Sequence, residues 1–512
     1  MASILTNSSA MVALQNLRSI NSNLNDVQEQ ISTGKKISSA KDNAAVWAIS
    51  KVMESDVQGF KNIKESLSLG ESTVAVGRNA AETVSDLLTE IKGKIVAAQE
   101  ENVDRAKIQT DIDALTSQIK SVTGAAQFNG LNLVSGTDDI SVLSSLDRSS
   151  DGSVASSSLT VARQDLTTEA GVYGTGASLA ANATATLGGN LAADGTGDAF
   201  SNGSNKLTAL VAGTLTAGET YNMQVAGTTV SFTTTTTAVN DLAAGLTTAL
   251  NAAGIEDITA SVTGATITIA STSKFDDVKV NTSGTGSGTF ALTSNGVTAA
   301  AATTNTSTIQ SRASDITFSA TAAVQEGDGY RVAIGGVNYD YIAGPNETME
   351  DVAKGLKTVI DGAGVANIST KVTQDATTGA WTLQLNNDGA AKTLTVTGAA
   401  GGEATGGLAG LDSIDVTTTA GADAALENIE TYISTAIDAA AAFGSAQGRI
   451  EIQSEFITNL TDSLKAGIGS LVDADLEAAS ARLQALQVQQ QLGTQALSIA
   501  NQAPQSILSL FR

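Results

Sequence analysis

Apolar side chains recur along residues 10–31 at alternating intervals of three and four: Ala10, Ala13, Leu17, Ile20, Leu24, Val27 and Ile31, with polar residues between. That spacing puts one narrow apolar stripe on a helix, the seam of a coiled coil. A gap follows at STGKKISSAKDNAA, residues 32–45, where Gly34 fits a helix stop and Ser39 or Asp42 fits a cap for the next helix. Helical periodicity then runs on to about residue 135, through Ile91, Ile95, Ile108, Ile112, Leu115, Ile119 and Val122. From about residue 423 it returns, and Leu476, Ala479, Leu483, Leu486, Gln490, Gly493, Leu497 and Ala500 repeat the three-and-four spacing.

Between residues 140 and 420 the period changes to two. Short alternating runs bounded by glycine, such as YNMQVAGTTVSF (221–232) and GATITIA (264–270), predict half-buried antiparallel strands. This region contains a repeat. AGETYNMQVAGTTVSF, VNDLAAGLTTALNAAG and ITASVTGATITIA match, in order, EGDGYRVAIGGVNYDY, MEDVAKGLKTVIDGAG and ISTKVTQDATTGAWTLQL. Tyr221, Val225, Gly227 and Phe232 align with Tyr330, Ile334, Gly336 and Tyr341, and Gly245 aligns with Gly355. Each copy predicts two strands, an amphipathic helix and a further hairpin, a small α+β unit.

The predicted fold is therefore multidomain, with an all-α coiled-coil and helix-bundle core built from both chain ends and central β-rich α+β domains. The expected boundaries are 1–43 with 468–512 for the coiled-coil domain and 44–140 with 420–467 for a helical bundle carrying a short β-hairpin. The two repeats are placed at 202–300 and 312–419, with 141–201 and 301–311 as connectors.

Composition narrows the chemistry. The 512 residues include no Cys, no His and 2 Pro, so a Ser-His-Asp triad, a cysteine nucleophile and a zinc helix cannot be built. No enzyme, metal site or cofactor is expected. The net charge of −24 is spread along the chain without a Lys/Arg cluster, which argues against a nucleic-acid partner. GTGSG (284–288) and GGEATGG (401–407) lack the lysine and helix of a phosphate loop. Asp138–Asp139 and Asp276–Asp277 lack calcium-loop spacing. No basic residue precedes Arg18, and no run approaches the roughly 20 apolar residues of a membrane span, so neither a Sec-type leader nor an anchor is expected.

The seams remain the specific signal. Burying each large apolar side chain gains about 1.5–3 kcal/mol, so an exposed seam seeks a partner. Small and polar residues dilute this one, and a helix pair made from 10–31 and 476–500 should be marginal until other copies add surface. Heterologous packing that does not close on itself builds a filament.

ALQNLRSINSNLNDVQEQISTGKKISSAKDNAA at residues 13–45, AAQFNGLNLV at 125–134 and QQQLGTQALSIANQAPQSILSLFR at the C-terminus resemble bacterial flagellin, of the alphaproteobacterial kind. The resemblance covers both ends; the middle matches only in character. It implies a structural subunit of the flagellar filament for swimming motility, secreted through the flagellar type III channel and assembled outside the cell. The terminal helices would form an inner tube and the central domains would face outward. Implied partners are further copies in a homopolymer, the hook-junction and cap proteins, and an export chaperone on the C-terminal helix, Leu476–Arg512. In flagellins sensed by the animal innate receptor, Toll-like receptor 5, the helix matching LTEIKGKIVAAQ (88–99) carries a Gln-Arg pair. Here Thr89 and Glu90 stand there, with Lys92 and Asp111 in the same altered region, and weak or absent receptor activation is expected.

Two alternatives are a hook–filament junction protein, which shares heptad ends, and a filament-borne adhesin anchored by Tyr221, Tyr330, Tyr339, Tyr341 and Trp381. Alternating strands favour a core use for those aromatics.

Overall fold

The structure, a computed structural model, describes residues 7–149, 153–188 and 200–510, with side chains described as far as residue 502. The end of the C-terminal motif, Phe511 and Arg512, and the part of the expected connector at 189–199 lie outside the described residues. Helix α1 (Ser8–Thr33) is followed by α2 (Ala44–Ala98) and α3 (Arg105–Ala125), then by strands β1 (Gln127–Phe128), β2 (Leu131–Asn132), β3 (Ile140–Arg148), β4 (Val154–Val161) and β5 (Ala183–Thr186). The first repeat holds β6 (Asn205–Ala212), β7 (Thr220–Val225), β8 (Thr228–Thr233), α4 (Val239–Ala252), β9 (Ile258–Thr263), β10 (Thr266–Ser271), β11 (Val278–Gly284), β12 (Thr289–Ser294), β13 (Val297–Thr298) and β14 (Asn305–Ile309). The second holds β15 (Ser314–Phe318), β16 (Gly329–Ile334), β17 (Val337–Ile342), α5 (Met349–Gly362), β18 (Ile368–Gln374), β19 (Trp381–Asn387) and β20 (Leu394–Ala399). Helices α6 (Thr419–Val472) and α7 (Leu476–Leu510) complete the chain.

Contacts divide the chain into two units: residues 1–72, 141–160 and 447–512 in one, 73–140 and 161–446 in the other. In the first unit α1 packs on α7, and Phe60, Ile63 and Leu67 of α2 and Ile450 and Ile457 of α6 are buried. The β3–β4 hairpin lies on α2 at two glycines. A Cβ on Gly59 would stand 2.8 Å from Leu146, and one on Gly70 would stand 2.7 Å from Val142. Small residues thus let a strand approach a helix backbone.

The helical part of the second unit buries Val84, Leu88, Ile91 and Ile95 of α2, Ile112 and Ile119 of α3, and Ile429, Tyr432, Ala436 and Phe443 of α6. The helical periodicity read to about residue 135 divides into two helices at residues 99–104, where Asp104 caps α3 by accepting from the Lys107 amide. It then gives way to the β1–β2 hairpin. Asn129 (φ 52°) and Gly130 (φ 82°) form the turn, the left-handed pair that a two-residue hairpin requires.

Both repeats form two small antiparallel sheets around one helix. In the first, β14-β11-β7-β8 faces β13-β12-β6-β10-β9, and α4 closes a core that includes Tyr221, Leu242, Leu246 and Phe290. In the second, β17-β16-β20 and β18-β19-β15-β5 enclose α5, with Phe318, Tyr330, Val352 and Leu356 inside. Tyr221, Tyr330 and Tyr341 are buried, and Tyr339 and Trp381 pack partly against the core, so these aromatics serve packing.

The segments expected to be connectors carry structure. β14, within 301–311, pairs with β11. β5, within 141–201, pairs with β15 of the second repeat, and Phe200 enters that repeat's core. The strand flanking β15 is supplied from upstream, whereas its counterpart beside β6 is β12, supplied from downstream. The first repeat is inserted within the second. A four-residue strand of Ala and Thr carries too weak an alternation to be read from sequence.

Candidate assembly interface

Asn7 starts α1 in two ways: its Oδ1 accepts from the Ala10 amide at 3.1 Å, and its Nδ2 donates to the Ala500 carbonyl of α7 at 2.7 Å. Gly34 ends the helix with φ 68°, a left-handed C-cap. Beyond it the Lys36 amide donates to Val472 O (2.7 Å) and the Ala474 amide donates to Gly34 O (3.0 Å), tying the turn to the break between α6 and α7. Asp475 caps α7 through the Glu477 and Ala478 amides. Residue 7 thus meets residue 500 and residue 34 meets residue 474, so the two helices run antiparallel. The α2 cap expected at Ser39 or Asp42 falls on Asn43, whose Oδ1 accepts from the Val46 amide. Asp42 instead accepts from the Ser38 and Ser39 amides, which hold its carboxyl below the ordinary range.

Along this pair Val27, Ala479 and Leu486 are buried, and Ile20, Leu24, Ile31 and Leu483 pack against them. Toward the other end Ala10, Ala13, Leu17, Leu497 and Ala500 are half-buried. Gly493 lets the helices close, since a Cβ there would stand 3.1 Å from Leu17. Gln490 donates to Asn21 at 2.7 Å, so the polar residue in the stripe has a partner. Leu476 stands apart from the others, 49% exposed at the first residue of α7. Three fully buried side chains contribute only a few kcal/mol, which makes the isolated pair weak.

Large apolar side chains outside the packed stripes were not read from the sequence. Met11 (62%), Val12 (58%), Val488 (55%), Leu492 (58%) and Ile499 (69%) are exposed, and Leu14 is partly so. Their signal was apolar residues off the heptad stripe, which a search for one seam discards. Val488, Leu492 and Ile499, spaced four and seven apart, share the side of α7 opposite its seam, and Met11 lies opposite the seam of α1, so each helix turns exposed apolar side chains away from the other, as at an interaction site.

In the other unit, Thr89 and Glu90 are exposed on α2, with the Thr89 hydroxyl turned back onto Ser85 O. Lys92 pairs with Glu430, and Lys94 pairs with Asp111 at 2.6 Å, a hydrogen bond that raises the Lys94 pKa. Among the described residues no cluster of three metal-ligating side chains occurs, and no helix is long and apolar enough to cross a membrane.

Residues 4–139 match the family model for the bacterial flagellin N-terminal helical region, and residues 426–511 match that for the C-terminal helical region. Flagellin A of Rhizobium meliloti is 32% identical over the full length of both chains. The chain belongs to the bacterial flagellin family. Flagellin D of Rhizobium meliloti strain 1021 is 30% identical, again over the full length of both, in keeping with an alphaproteobacterial type of flagellin. Among solved structures, flagellar hook associated protein-3 from Legionella pneumophila covers 82% of this chain at 10% identity and a TM-score of 0.32, too slight a likeness to favour a junction protein. This flagellin is a structural subunit of the flagellar filament, and α1 and α7 lie in its two family-matched regions.

Proposed function

We propose that α1 and α7 pair within one subunit and polymerise through the apolar side chains that each helix leaves exposed, forming the inner wall of the filament. The carrying observation is that each helix leaves large apolar side chains exposed, Met11 and Val12 on α1 and Val488, Leu492 and Ile499 on the side of α7 away from α1, beside a weakly buried seam. Ala10, Ala13, Leu17, Ile20, Leu24, Val27 and Ile31 meet Ala479, Leu483, Leu486, Leu497 and Ala500 inside the subunit, and Leu476 belongs to the outward set. Before assembly the same α7 surface suits an export chaperone, and the filament ends would meet the hook-junction and cap proteins. The subunit works outside the cell, after type III export, and has no catalytic role.

The test is polymerisation of a variant carrying Leu492→Ser and Ile499→Ser. Filament yield should fall at least tenfold in sedimentation and negative-stain microscopy, while the monomer's far-UV dichroism stays as in the parent. Unchanged filament yield would refute the proposal.

Receptor activation should be weak, because the exposed Glu90 puts an acid where the resemblance places an arginine. Purified monomer that signals strongly at nanomolar dose in a receptor reporter assay would sink this reading.

A further inference from the structure

Lys357 and Asp361 occupy one face of α5 at i and i+4, and Asn428 of α6 lies against both. The Lys357 and Asp361 side chains are 8% and 6% exposed, and Asn428 is 4% exposed. Lys357 Nζ donates to Asn428 Oδ1 at 2.7 Å and to Asp361 Oδ2 at 2.9 Å. Asn428 Nδ2 donates to that same Oδ2 at 3.2 Å. One carboxylate oxygen therefore bridges an amine and an amide nitrogen. Thr370 Oγ1 of β18 donates to Asp361 Oδ1 at 2.6 Å and fixes the carboxyl plane. Glu427 Oε2 reaches Lys357 at 3.1 Å from the solvent side.

We propose that Lys357 and Asn428 condense into an intramolecular isopeptide bond, with Asp361 as the proton carrier. A buried lysine held against an amide carbonyl has nucleophile and electrophile already in contact once a proton is removed, and fixed neighbours convert a slow bimolecular amide exchange into an effectively unimolecular one. Asp361 accepts a proton from the Lys357 ammonium, and the freed amine attacks Asn428 Cγ. The Cγ–Nδ2 bond breaks as Nδ2 takes the proton from Asp361. The proton left on Nζ returns to Asp361 and leaves with the ammonia as ammonium. One C–N bond forms and one breaks, and nothing is oxidised or reduced. A cavity of about 520 Å³ bordered by Asp361, Glu427 and Asn428 gives ammonia an exit. The product would be a covalent tie between α5 of the second repeat and α6 of the helical bundle. A buried ion pair alone is a weak source of stability.

Intact-mass measurement on full-length protein from sheared, denatured filaments decides the matter. The parent chain should be one ammonia lighter than its sequence. Trypsin should fail to cut after Lys357 and should release a branched peptide joining the Lys357 and Asn428 segments. Asp361→Ala and Asn428→Ala should each restore the missing mass allowed by their sequences and abolish the branched peptide. A parent chain at full sequence mass overturns the proposal. So does an ammonia loss mapped to Asn129, Asn202 or Asn295, each of which precedes a glycine and can cyclise on its own. The parent measurement stands even if a variant fails to fold.

Discussion

Gly355 of α5 sits under the Tyr341 ring, where a Cβ would lie 2.2 Å from the nearest ring carbon; Gly245 of α4 sits under Phe232 at the same distance. The aligned glycines and aromatics of the repeat are thus one contact, a ring laid on a helix backbone, and the glycine is required by space. Tyr341 then donates to both oxygens of Glu347, at 2.9 and 3.0 Å. Burial pushes the Glu347 pKa up to about 7 from 4.5, against the opposing Tyr341 hydrogen bond, with nearby Asp351 adding to the rise. The folded chain holds this proton between those values and the unfolded chain does not. Stability from Glu347 is therefore complete below about 4.5 and declines as pH rises through about 7, by at most about 3 kcal/mol. Glu347→Gln should remove that decline. Thermal midpoints of parent and variant, compared from about pH 5 to about pH 8, should separate in the variant's favour as pH rises. A constant difference across the range would rule it out.

At the scale of elements, the helices were the legible part. A period of three and four over twenty residues is a strong signal, and the stripe it marks on α1 is the one packed against α7, with Val27 buried at 4% exposure. The exposure of Met11, Val12 and Leu14 was not legible, because periodicity marks one stripe and carries no information on apolar residues outside it. Caps were legible only to within a few residues. Asn43, Asp42 and Ser39 are all capping types, and the choice among them depended on where the turn was pinned by Val472 and the segment after it. Short strands were the least legible. β5 and β14 acquire their identity from pairing with β15 and β11, across 130 and 30 positions of sequence in round terms, and local pattern carries no such information.

For the whole molecule, the nesting of the first repeat has a consequence. Asn205 Nδ2 donates to the carbonyls of Gln310 and Ser311 at 3.0 and 2.7 Å, so the insert enters and leaves at one place. Arg312, buried just beyond it, holds Asn386 and Asp388 of β19 and the loop after it. Replacing residues 204–310 with a short Gly-Ser linker should leave the remaining fold and filament formation intact, read by thermal unfolding and electron microscopy. Loss of the second repeat's cooperative unfolding would contradict the nested arrangement. By itself the sequence determined the helical ends, the β-rich middle, its duplication and the chemistry it lacks. Each of these follows from local periodicity or from residue types that are simply missing. Only the tertiary structure decided that β5 completes the second repeat around the inserted first one, that α7 meets α1 antiparallel with apolar side chains left exposed on each helix, and that Lys357, Asp361 and Asn428 converge. Those facts depend on contacts between distant segments, whose partners are selected by packing and burial.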